Sequence, residues 1–125
     1  MGQDKTKPIN WLPEVAEGNY LAAESYLGLL YADAQVAALV TRLRTAPPAR
    51  FKAKDIFRAS RLTLLGVNNF HVNKDQEKIS KGLHLSPLLL VRDEAHGMVV
   101  IADGYHRLCA VYDYDEDADI PCRIV

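Results

Sequence analysis

The chain has 125 residues, 49% hydrophobic and 25% charged, with a formal net charge of −1, which is the size and composition of one globular domain. A chain this long buries roughly two thirds of the surface its unfolded form exposes, so a core forms without disulfide staples or a structural metal, and collagen, disordered tails and disulfide scaffolds are excluded. The longest stretch free of Asp, Glu, Lys and Arg, Leu62 to Asn73, falls well short of the ~18 apolar residues of a membrane span, and the near-neutral charge speaks against a duplex-DNA binder.

In chain order, Met1 to Thr6 lack the apolar run of a secretory signal, and the cysteines, Cys109 and Cys122, make no oxidised framework, so the expected compartment is the cytoplasm. Gly2 fits a loose myristoylation pattern, but Asp4, Lys5 and Lys7 supply no polybasic second anchor. Tyr20 to Thr45 carries Leu21, Tyr26, Leu27, Leu30, Val36, Leu39, Val40 and Leu43 at helical spacing. Gly28 and Asp33 divide it into two helices, with Asp33 expected as the second N-cap. Leu27, Leu30, Leu39 and Leu43 form the stripe expected to pack onto the rest of the domain. Trp11, Tyr20, Tyr26 and Tyr31 read as core or as contacts in a homodimer.

Pro47-Pro48 ends the helical region, since proline stops a helix and biases the residue before it toward extended backbone. A short helix is expected over Asp55 to Arg61, then Asn73 as N-cap of a helix over Lys74 to Lys81, stopped by Gly82. Leu88 to Arg92 and Met98 to Ala102 are apolar runs joined by Asp93 to Gly97, which reads as a hairpin. A helix over Tyr105 to Tyr114 and a strand over Ile120 to Val125 follow. The expectation is a single α/β domain: a helical extension over 1–50, then a core over 51–125 with a small mixed sheet. Charge falls in blocks, Arg42, Arg44, Arg50, Lys52, Lys54, Arg58 and Arg61 against Asp113, Asp115, Glu116, Asp117 and Asp119. These are two solvated surfaces, or a basic block bordering a phosphate site that the acidic block balances.

The segment richest in chemistry is Ile101 to Ala110, where a strand runs through a glycine into a helix. The N–H groups of a helix N-terminus lack intrahelical partners and carry partial positive charge, so the turn suits an anion. Gly104 lets backbone and ligand approach closely, and Arg107 adds a forked cation suited to phosphate. The competing reading is a capped helix, with Asp103 as N-cap and Arg107 paired to a nearby acid.

The string Gly104-x-x-Arg107-x-x-Ala110 resembles the G-x-x-R-x-x-A signature of the ParB/sulfiredoxin-like superfamily, whose ParB members carry it in an N-terminal domain. His106 before the arginine strengthens the likeness, as do the Leu85-Ser86-Pro87-Leu88 lead-in and the terminal Ile120-Pro121-Cys122-Arg123. The resemblance covers roughly the last 55 residues and implies a nucleotide site, with ATP, ADP or CTP and Mg²⁺. Gly104, Tyr105, His106 and Arg107 would hold phosphate, with Lys78 and Lys81 on the preceding helix. Sulfiredoxins have a nucleophilic cysteine where this chain has Tyr105, and Cys109 lies a helical turn further on, so sulfinic acid reduction is not expected. ParB proteins follow this core with a helix-turn-helix domain, whereas the sequence in hand ends at Val125, so centromere-type DNA binding is not expected.

Asp103-Gly104-Tyr105-His106-Arg107 looks most like the D-G-H-H-R of ParB-like free-serine kinases, which implies a second possibility, phosphoryl transfer. Asp103 and His106 would then be catalytic, Asp103 holding a metal, with a further carboxylate such as Asp55. A third possibility is a nucleotide-free module that binds protein or, through Arg50-x-Lys52-x-Lys54, single-stranded nucleic acid. His71, His84, His96 and His106 show no metal-ligand spacing, and no protein-bound structural or catalytic zinc is expected.

Overall fold

The computed structural model describes residues 8–66 and 68–125. Its elements in chain order are β1 (Asn10–Trp11), α1 (Glu17–Leu27), α2 (Asp33–Thr45), β2 (Ala49–Lys52), α3 (Ala53–Ser60), α4 (Phe70–Ser80), β3 (His84–Leu85), β4 (Leu88–Asp93), β5 (Met98–Asp103), α5 (Tyr105–Tyr114) and β6 (Asp119–Ile124). The fold is mixed α/β. Four strands form a sheet in the order β2-β6-β4-β5, with β6 and β4 parallel and the other neighbours antiparallel. The short strands β1 and β3 pair separately, in parallel. No helix among the described residues is long and apolar enough to cross a membrane.

Successive residues of a strand face opposite sides, and both sides of this sheet are covered. Leu88, Leu90, Val99, Ile101, Ile120 and Cys122 pack with α3, α4 and α5. Leu89, Val91 and Ala102 pack with Tyr20, Ala23 and Leu27 of α1 and Val36, Val40 and Leu43 of α2. Double coverage is why Leu88 to Val91 is continuously apolar rather than alternating. The β4–β5 hairpin closes through Asp93 to Gly97, with Gly97 at φ +62°.

The expected helices and the three long strands are present, with several corrections. Ala32, not Asp33, caps α2: Asp33 is the first helical residue, and the Gln35 side chain accepts from the Ala32 N–H at 3.4 Å. Leu27 and Leu43 are fully buried and Leu39 partly so, but Leu30 lies beyond the end of α1 and is 48% exposed. Helix α4 begins a turn earlier than its expected start, because Asn69 rather than Asn73 is the cap. The Asn69 Oδ1 accepts from the N–H groups of His71 and Val72 at 2.9 and 3.2 Å, and Asn73 sits inside the helix.

Strand β2 places Arg50 and Lys52 on the sheet edge, where charged side chains are tolerated because only one side is hydrogen-bonded. It begins at Ala49, so a boundary at residue 50 falls inside a strand. The basic block is dispersed. Arg44 forks onto Glu17, Lys54 pairs with Asp117 at 2.6 Å, Arg58 with Asp55 at 3.3 Å, and Arg61 donates to the carbonyl of His96 at 3.0 Å.

Candidate functional site

Strand β5 ends at Asp103, and the chain turns through Gly104 into α5. Gly104 has φ +114°, a region that L side chains rarely adopt, and a Cβ there would lie 2.6 Å from Leu88 Cγ and 2.9 Å from Arg107 Nη2. Glycine is therefore required by both backbone and space. Gly104 is itself the N-cap, and no side chain caps the helix. The first amide bonded back into the helix is that of Leu108, which donates to the Gly104 carbonyl at 2.9 Å. The amides of Tyr105, His106 and Arg107 thus form the electropositive end of α5.

Asp103 does not cap α5, contrary to one part of the capped-helix expectation, whereas its other part, Arg107 paired to a nearby acid, is present. Its carboxylate takes Arg107 Nη2 at 2.9 Å, in a pair whose side chains are 17% and 15% exposed. The same Nη2 lies 3.4 Å from the Pro87 carbonyl, and Arg107 Nε is buried with no hydrogen-bond partner. The guanidinium is held in place from one side.

Helix α4 forms the opposite wall. Gln76 locks it to α5, donating to the Ala110 carbonyl at 3.2 Å and to Asp113 Oδ2 at 2.7 Å. With that face fixed, His71, Lys74, Asp75 and Lys78, spaced by three and four residues, line a cavity of about 250 Å³ together with Asp103, Gly104, Tyr105, His106 and Arg107. The rings of His71 and His106 pack against each other in its wall, 4.8 Å between centroids. Lys78 Nζ is 3.8 Å from the buried Asp75 carboxylate.

Burial raises the Asp75 pKa, and Lys78, Arg107, His106 and His71 oppose the rise. Burial lowers that of His106, assisted by His71 and Arg107 and opposed by Asp75. The walls carry two lysines, an arginine and two imidazoles against two carboxylates, each carboxylate already facing a cation. Such a surface can take an anion with several oxygens, using amides and cations together.

Of the residues singled out from sequence, Lys78, Asp103, Gly104, Tyr105, His106 and Arg107 come together here. Lys81 does not: it is the C-cap of α4, past the last helical turn, and is not among the cavity's lining residues. Asp55 lies in α3 and lines a different cavity with Phe51 and Arg92. No member of the basic block Arg42 to Arg61 borders the cavity around Gly104. The Tyr105 hydroxyl donates to the Thr63 carbonyl. The buried Cys109 thiol sits a turn further along, taking the Leu65 N–H at 3.5 Å, and burial pushes its pKa up.

Sequence reasoning missed His71, Lys74 and Asp75. Their spacing with Lys78 is a helical face, but a helix started at Lys74 leaves His71 outside it. Among the described residues, no group of three or more His, Cys, Asp or Glu side chains is arranged to hold a metal ion. No family model matches this chain, and no curated protein or solved structure matches it.

Proposed function

We propose that this chain is a nucleotide-binding domain of the ParB/sulfiredoxin-like type that holds phosphate at the Gly104 turn. The observation that carries the reading is convergence: the uncapped N-terminus of α5 opens into the same cavity as Lys74, Lys78, His71, His106 and Arg107. Helix amides supply short, oriented donors, and the cations supply charge that a di- or triphosphate neutralises. Arg107, anchored by Asp103, enters as a preorganised donor rather than a mobile side chain.

Binding is favoured over phosphoryl transfer by the state of the carboxylates. Asp103 is committed to Arg107 and Asp75 to Lys78, so either would have to leave its partner to hold Mg²⁺ or take a proton from an attacking hydroxyl. The ion would therefore arrive with the nucleotide and be held chiefly by phosphate oxygens.

The test is thermal unfolding with ATP, ADP, CTP and tripolyphosphate, each with and without Mg²⁺. A ligand at about a hundred times its Kd stabilises the native state by about 2.7 kcal/mol, a rise of several degrees in a domain of this size. A melting temperature unmoved by every one of these ligands overturns the proposal.

A further inference from the structure

The cavity between α4 and α5 is small. At about 250 Å³ it lies below the roughly 300–1,000 Å³ of pockets that enclose a drug-sized ligand, and its walls are mostly polar. It accommodates a phosphate chain, and a nucleoside attached to that chain must lie outside, against whatever stands at the mouth.

Phe70 stands there. It is the first residue of α4 and 66% exposed, next in sequence to His71 and one turn before Lys74, both of which line the cavity. Single exposed apolar side chains are common and need no explanation on their own. The surroundings of this one are specific: the His71 ring meets it edge-on at 5.4 Å between centroids, and Lys74 Nζ lies 5.3 Å from the ring centroid. Both of these side chains also line the cavity, so the ring is coupled to two of the groups that the phosphate-site reading uses. Tyr105, the other aromatic side chain beside the cavity apart from the histidines, is tied down through its hydroxyl to Thr63.

We propose that Phe70 is the base-stacking residue of this site, so that its ligands are nucleoside polyphosphates held by the phosphate chain and by the flat face of the base, with no preference among bases. The inference rests on the phosphate-site reading above. Stacking on an aromatic ring is tolerant of sequence because every base has a π face. A preference among bases needs hydrogen-bonding groups aimed at the base edge, and the ring supplies none.

The experiment is calorimetric titration of tripolyphosphate, ATP, GTP and CTP, without Mg²⁺ at low salt, into the unmutated protein, Phe70→Ala and Phe70→Trp. The three nucleotides should bind within about threefold of one another and roughly ten- to a hundredfold more tightly than tripolyphosphate. Tripolyphosphate carries more charge, so charge alone would order them the other way. Phe70→Ala should bring the nucleotides down to the tripolyphosphate level and leave tripolyphosphate unchanged, while Phe70→Trp keeps the advantage. An advantage that survives Phe70→Ala, an absent advantage, or one base favoured more than about tenfold overturns the role of Phe70 while tripolyphosphate binding upholds the phosphate site. If tripolyphosphate and nucleotides alike fail to bind, the phosphate site itself falls.

Discussion

Gly104→Ala tests the turn on which the site is built. The backbone there has φ +114°, beyond the left-handed region that some non-glycine residues tolerate, so a side chain costs about 1–3 kcal/mol in conformational strain alone. The added methyl would also sit 2.6 Å from Leu88 Cγ and 3.1 Å from its Cδ1. Leu88 is fully buried in the core beneath the sheet and cannot swing away, so overpacking adds about 1–3 kcal/mol. The sum, about 2–6 kcal/mol, corresponds to a fall in melting temperature of roughly 8–24 °C at about 4 °C per kcal/mol.

The assay is urea and thermal unfolding followed by circular dichroism, run as a double-mutant cycle with Leu88→Ala. Truncating Leu88 removes the clash but not the strained φ, so the double variant should be more stable than the two single effects added together, by about 1–2 kcal/mol. A Gly104→Ala protein that melts within about 3 °C of the original would refute the reasoning. Strict additivity in the cycle would refute the part assigned to Leu88.

Arg107→Ala should weaken tripolyphosphate binding by roughly ten- to a hundredfold, about 1.5–3 kcal/mol, and Arg107→Lys should restore only part because a point charge lacks the planar fork; equal affinity in all three proteins by calorimetry contradicts the role assigned to it. Burial, with His71 and Arg107, holds the His106 pKa below its ordinary 6.5, so the unfolded chain takes up that proton first as pH falls. The stability contributed by neutral His106 is therefore complete above about pH 6.5 and is lost as pH drops through that value toward the lowered folded pKa. Urea unfolding between pH 5 and 7.5 should show His106→Gln flattening this rise, and an unchanged slope would count against it. Cys122, with its thiol pushed up to about 11 by burial, and Cys109, also raised, should both resist a thiol reagent at pH 8 until the protein is unfolded. Cys109→Ala should leave tripolyphosphate binding intact, and because the Cys109 thiol is buried with its pKa raised, ATP and an overoxidised peroxiredoxin should regenerate no thiol.

What could be read directly from the sequence was local. The apolar runs Leu88 to Arg92 and Met98 to Ala102 around a five-residue turn specify a hairpin, and Gly104 followed by helix-forming residues specifies a strand-to-helix junction, because each signal lies within a few residues of its own partner. The division of Tyr20 to Thr45 near Gly28 was legible for the same reason. Strand β2 was not: its Arg50 and Lys52 look like loop residues, and only pairing with β6, some seventy residues later, makes them a sheet edge. The Leu30 side chain has the spacing of a core residue yet lies past the end of α1, where the helical period no longer applies. The site divides along the same line. Gly104, His106 and Arg107 stand together in sequence, whereas His71, Lys74 and Asp75 reach them only because Asn69 starts α4 a turn earlier and Gln76 docks that helix on α5. Local propensity sets which residues share a face of a helix, but packing across the core decides what that face meets.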